Sequence, residues 1–201
     1  GYGMTELSPV SQLSPPGNFK AGSCGVTTPN TELRIVDVST GEDRGVGEEG
    51  EMWIRGPQVR KGYLNNPEAT AATIDADGWL HTGDIGTMDD RGYLAITDRK
   101  KDMFIVGGFN AYPAEIENAL LRHPGIAQVA VVGVPDPRMG EVGHAYVVPK
   151  AGQQVDPDEV VAWSREQMAN YKVPRAVHVL DALPVNASGK VLKRQLREEH
   201  A

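Results

Sequence analysis

Four stretches of this chain combine residue types that can handle a phosphorylated ligand. The run LPVNASGKVLKRQLREEHA, from Leu183 to Ala201, delivers Lys190 on an Asn186-Ala187-Ser188-Gly189 turn, ahead of a basic helix. Ser188 and Gly189 make that loop mobile, and Lys193, Arg194 and Arg197 raise the local positive potential. Lys190 therefore suits a phosphoryl group whose negative charge rises in a transition state. The same cations, read alone, describe a solvated helix face, and the spacing of a Walker phosphate loop is missing. A second stretch, GYGMTE at Gly1 to Glu6, sets an aromatic ring between two glycines and adds a hydroxyl and a carboxylate. Gly1 and Gly3 let backbone approach a ligand, Tyr2 can lie flat on a purine, and Thr5 with Glu6 offers hard oxygen ligands for a magnesium phosphate. A plain turn is the alternative. In GWLHTGD, Gly78 to Asp84, a strand ends in a glycine turn presenting Asp84, whose two oxygens match a cis-diol such as ribose. A structural turn aspartate reads equally from the spacing. The last stretch, DRKKDMFIVGGFNAYPAEIE at Asp98 to Glu117, offers Arg99 for ribose or phosphate. Its Gly107-Gly108 pair is a strip without side chains past which a thin ligand could slide, or an ordinary strand-ending turn.

These residues must be positioned by two different kinds of structure. ELRIVDV (Glu32 to Val38) and GEMWIRG (Gly50 to Gly56) alternate apolar and polar residues around glycines, which predicts a β-rich first half. Between them GVGEEG, Gly45 to Gly50, matches a dinucleotide fingerprint in form only: a strand follows it, two glutamates would repel pyrophosphate, and it reads as a hairpin loop. GYLAITDRKKDMFIVGG predicts two short strands with a charged break, and the pattern then changes. Pro113 opens a helix whose buried stripe is Ile116, Ala119 and Leu120, stopped by His123 to Gly125. Strands follow at 127–134 and 143–149, then a helix capped by Asp156 and running to about Asn170, a strand at 176–180 and a terminal helix. The fold class expected is α+β: a β-rich region over 1–98, a hinge at 99–102, and a small α+β domain over 103–201 with a three-stranded sheet and three helices.

Composition narrows the function classes. The net charge of −7 argues against a general nucleic-acid binder, and it is unevenly spread. Residues 1–98 carry 7 Lys/Arg against 15 Asp/Glu, residues 99–201 carry 13 against 12. No apolar run approaches the length of a transmembrane segment and no signal peptide opens the chain, so a cytoplasmic protein is expected. Cys24 is the sole cysteine and reads as packing, and His81, His123, His144, His178 and His200 lack zinc-ligand spacing.

Taken together and in this order, GYGMTE, GWLHTGD, DRKKD with GGFNAYPAEIE, and NASGKVLKRQLR closely resemble the adenylate-forming acyl-CoA synthetases. The resemblance covers essentially the entire chain, RGPQVRKGYLNNPEATAATID (Arg55 to Asp75) included. It implies that Tyr2, with Gly3 beside it, meets adenine, that Thr5 and Glu6 meet phosphate and Mg2+, and that Asp84 and Arg99 hold the ribose hydroxyls. It implies further that Lys101 is the hinge residue, that Gly107 and Gly108 border the pantetheine tunnel, and that Lys190 bridges carboxylate and phosphate oxygens. Substrates on this resemblance are a carboxylic acid, a fatty acid in the first reading, with ATP/AMP and coenzyme A. The family's phosphate loop and acyl pocket precede GYGMTE and neither is in these 201 residues, so a large N-terminal domain is expected upstream and the chain alone is expected to be inactive. An adenylation domain that loads a carrier protein, and a non-catalytic nucleotide-binding fragment, are the alternatives.

Overall fold

A computed structural model describes residues 1–187 and 189–198. Ser188, on which the expectation of a mobile loop partly rests, and His200 lie outside the described residues. The chain divides into two compact units, one from Gly1 to Lys101 and one from Asp102 onward.

In the first unit, β1 (Tyr2–Gly3), β2 (Val10–Leu13) and β3 (Val26–Thr27) form a small antiparallel sheet. The strands β4 (Glu32–Val36), β5 (Gly50–Arg55), β6 (Leu80–Met88) and β7 (Leu94–Arg99) form an antiparallel sheet in chain order. The alternation read in the sequence is the cause: Ile35, Met52, Ile54, Leu80 and Leu94 turn to one core with Leu7. Each fully buried apolar side chain contributes about 1.5–3 kcal/mol. Helix α1 (Pro67–Thr73) bridges β5 and β6, begun by Pro67 in its first turn and by the Asn66 side chain, which accepts from the Ala69 amide at 3.0 Å.

The second unit contains β8 (Phe104–Val106), β9 (Phe109–Ala111), α2 (Pro113–Leu120), β10 (Ile126–Asp136), β11 (Gly140–Pro149), α3 (Pro157–Gln167), β12 (Ala176–Val179) and α4 (Lys193–Glu198). Its sheet has five strands, not the three expected: β10 and β11 make a long hairpin, β12 runs parallel to β11, and β8 with β9 extends the order. Of the two additional strands, β8 is the short strand expected before Gly107, which joins this sheet, whereas β9 was not expected; each has three residues, too short for alternation to show. They are made by Gly107 and Gly108, which both take positive φ (57° and 89°) in a two-residue hairpin loop.

Helix α2 starts at Pro113 and buries Ile116, Ala119 and Leu120 as its spacing predicts. Helix α3 stops at Gln167 and a short 3-10 turn at Asn170–Lys172 follows, so the helix is shorter than expected. One face of the sheet packs on α2 and α3 through Phe104, Ile116, Leu120, Val131 and Val160. A second cluster joins Ala130, Val132 and Tyr146 to Leu183 and to Leu196 of α4.

Candidate functional site

In the first unit an irregular strand pair builds a groove. Glu51 of β5 faces Ile85 of β6 and Trp53 faces His81, so the single residue Met52 stands opposite Thr82, Gly83 and Asp84. This bulge, with Gly83 at φ 72°, bends β6 and re-aims Asp84. Asp84 therefore belongs to a bulged strand rather than to a strand-ending turn. Its ladder partner is Arg99, the last residue of β7, whose Nε lies 3.5 Å from Asp84 Oδ1. Tyr2 donates its hydroxyl to Asp84 Oδ2 at 2.8 Å. Burial, and then this carboxylate, push the Tyr2 phenol up well beyond its ordinary value. Tyr2, Gly3, Thr82, Asp84, Arg99 and Lys101 all line one groove of about 580 Å³. An aromatic ring, a carboxylate with acceptor capacity to spare and an exposed guanidinium suit a planar base carrying a diol.

Gly3 has a different reason to be glycine than the one the sequence offered. A Cβ there would stand 1.9 Å from the Pro9 carbonyl oxygen, so the close approach is by the chain's own backbone. Thr5 and Glu6 lie in a 3-10 turn (Thr5–Leu7), with Thr5 exposed and Glu6 half-buried. Glu6 Oε1 accepts from the Tyr63 hydroxyl at 2.9 Å and lies 3.2 Å from Arg60 Nη2. Both contacts fall on one oxygen, leaving Oε2 as a hard donor. Among the described residues no cluster of three or more His, Cys, Asp or Glu could hold a metal. One carboxylate oxygen fits a magnesium ion whose remaining ligands are phosphate and water.

In the second unit Gly107 and Gly108 sit at the tip of the β8–β9 hairpin, exposed, and their positive φ accounts for both glycines. Lys190 is exposed as well, on a loop closed around Asn186. The Lys190 amide donates to Asn186 Oδ1 at 2.9 Å, the Asn186 amide to the Lys190 carbonyl at 2.9 Å, and Val185 bridges Val191. Lys190 Nζ has no acceptor among the described residues. The basic cluster after it is not one solvated face: Lys193 is half-buried with its Nζ 2.7 Å from Glu117 of α2, while Arg194 pairs along the helix with Glu198.

Sequence reasoning missed Glu51, Lys100, Arg60 and Tyr63. Only Glu51 left a trace, as a charge in a strand whose other early positions are apolar.

Both units have counterparts among known proteins. Residues 1–64 match the family model described as AMP-binding enzyme, and residues 115–190 match that of the AMP-binding enzyme C-terminal domain. A 7a-methyl-1,5-dioxo-octahydro-1H-inden-4-yl propanoyl:CoA ligase of Rhodococcus jostii (strain RHA1) is 59% identical over 198 residues, covering 98% of this chain and 37% of the relative. A long-chain-fatty-acid CoA ligase of Bacillus subtilis (strain 168) is 48% identical, covering 99% of this chain and 36% of its own length. The crystal structure of ATP-bound MatB from Rhodopseudomonas palustris superposes with a TM-score of 0.89 at 39% identity, over 99% of this chain and 40% of that one. The chain belongs to the adenylate-forming acyl-CoA synthetase family. It spans a little over a third of the length of these curated relatives.

Proposed function

We propose that this chain works as the C-terminal portion of an ATP-dependent acyl-CoA synthetase, with Gly1–Lys101 the end of its large domain and the unit from Asp102 its small mobile domain. A carboxylate attacks the α-phosphate of ATP, giving acyl-AMP and pyrophosphate, and the coenzyme A thiol then displaces AMP. The observation that carries this is the bulged strand that sets Asp84 between Tyr2 and Arg99 in one groove. There the Tyr2 ring takes the adenine and Asp84 with Arg99 takes the ribose hydroxyls. Thr5 faces phosphate, and Glu6 Oε2 would hold a magnesium ion that offsets phosphate charge. Lys190, whose ammonium is held by no neighbour among the described residues, meets the α-phosphate as charge builds there. Gly107 and Gly108 border the path of the pantetheine arm in the second step, and rotation about Lys101 exchanges the two arrangements. The acid is a hydrophobic carboxylic acid, for which a fatty acid and a bicyclic propanoic acid of the kind the relatives' names print are the first candidates. ATP and coenzyme A are both available in the cytoplasm, which supports a reaction there.

The test separates the half-reactions in the full-length enzyme. Lys190→Ala should lower acid-dependent pyrophosphate exchange by about 10² to 10³, the scale of one electrostatic donor, and leave thioester formation from supplied acyl-AMP nearly intact. Equal losses would make the lysine structural. Absence of exchange in the wild type across an acid panel would refute the enzyme reading, and transfer only to a phosphopantetheinylated carrier protein would replace coenzyme A as acceptor.

A further inference from the structure

Glu51 is a carboxylate 3% exposed in the first unit, and two of its three hydrogen-bond donors, Gly83 and Lys100, line the groove. A buried carboxylate is tolerated only when it is paired and hydrogen-bonded. Glu51 is both. Its Oε1 accepts from the Gly83 amide at 3.1 Å, and its Oε2 accepts from Trp53 Nε1 at 3.0 Å and from Lys100 Nζ at 2.9 Å. The Lys100 amide in turn donates to the Gly83 carbonyl at 2.9 Å, which closes a ring of three residues under the groove.

The identity of those partners carries the inference. Gly83 immediately precedes Asp84, and Lys100 immediately follows Arg99. Asp84 and Arg99 are ladder partners, but their side chains do not fix each other's direction: the 3.5 Å separation exceeds the roughly 2.7–2.9 Å of a direct charge-assisted hydrogen bond. The Thr82 hydroxyl, donating to the Met52 carbonyl at 2.8 Å and accepting from the Asp84 amide at 3.1 Å, and the Tyr2 hydroxyl brace one side of the bulge, whereas Gly83, at positive φ and without a side chain, is braced by Glu51. We propose that Glu51 is the positioning residue of the diol-binding edge: one buried carboxylate, through Gly83 and Lys100, sets where Asp84 and Arg99 stand. This rests on the groove being the nucleotide site. A structural ion pair would stabilise the unit without affecting what the groove distinguishes.

The experiment measures the affinity of the full-length enzyme for AMP and for 2′,3′-dideoxy-AMP, and takes the ratio. A contact of Lys100 with phosphate cancels in that ratio, because both nucleotides carry the same phosphate. Glu51→Gln should lower the preference for the diol about tenfold, as expected for misaligning one charge-assisted hydrogen bond. Lys100→Ala removes a side chain that is 45% exposed, so it opens no core, and should lower the preference in the same direction. Lys100→Arg, still able to reach the carboxylate, should restore it. Asp84→Ala is the control on the site itself. If it leaves the preference unchanged, the groove does not read a diol and the proposal falls with that reading. If Asp84→Ala abolishes the preference while Glu51→Gln and Lys100→Ala keep it, Glu51 is a structural ion pair, whatever the melting temperatures do. Should Glu51→Gln fail to fold, Lys100→Ala against Lys100→Arg decides alone.

Discussion

Removing one oxygen from the second unit, by Tyr146→Phe, should loosen the helix that follows Lys190. Tyr146 lies on β11, fully buried, and its hydroxyl donates to the Leu196 carbonyl at 2.9 Å. That carbonyl belongs to the last turn of α4, where backbone oxygens lack an intrahelical partner. Phenylalanine keeps the ring and its stacking on His178 at 4.8 Å, so the change is confined to the hydrogen bond. Leaving a buried carbonyl unsatisfied costs about 1–3 kcal/mol, and about 2 kcal/mol corresponds to roughly 30-fold in an opening equilibrium. Helix α4 has only six residues and buries one of them, Leu196, whose burial contributes about 1.5–3 kcal/mol. The lost bond is therefore comparable to the helix's main apolar anchor. Local opening, rather than unfolding of the whole unit, should absorb the loss. Hydrogen exchange reads it directly: the Gln195 and Leu196 amides, which both donate to the Leu192 carbonyl, should exchange about 10- to 30-fold faster, while amides of the β10–β11 ladder keep their protection. Unchanged exchange at those two amides would refute the anchoring role. Equal acceleration throughout the unit would show that the hydroxyl supports the core instead.

The β8–β9 hairpin makes a graded prediction. Gly107→Ala should destabilise the second unit by about 1–2 kcal/mol for its positive φ, and a Cβ there also displaces the Met139 Cε methyl, 2.7 Å away at the end of a flexible side chain. Gly108→Asn, at a site with open space and for a residue that tolerates this conformation, should cost less, and equal shifts in thermal midpoint would remove the hairpin from the argument. Tyr2 makes a pH prediction. Its folded pKa is raised, whereas the unfolded chain ionises near about 10, so above pH ~10 only the unfolded state releases the proton. Stability fully present below that pH should fall as pH climbs toward the folded value. Tyr2→Phe should lose less between pH ~9 and ~11, as urea midpoints would report. In the full-length enzyme Lys101→Pro fixes φ near about −65° and should change pyrophosphate exchange and thioester formation unequally; parallel changes in both would remove Lys101 from the mechanism.

The sequence by itself determined the chemistry-bearing residues and most of the elements that carry them. Pro113 and the Ile116, Ala119, Leu120 spacing set α2, and alternation set β4 and β5, because each of these is a local pattern with a local physical cause. The two-residue glycine hairpin was legible only as a pair of glycines after one short strand; its second strand was not. Its strands have three residues each, and they exist because β11 accepts β8 as a neighbour across a gap of more than thirty residues. The tertiary structure also decided what the site residues touch. That Asp84 sits on a bulge beside Tyr2, that Glu6 turns one oxygen to Arg60 and Tyr63, and that Lys193 pairs with Glu117, all follow from contacts between segments far apart in the chain. Glu51 shows why such facts escape sequence reading. Strand alternation tells only which face a side chain leaves from, whereas a buried charge is specified by the three donors that the folded sheet brings to it.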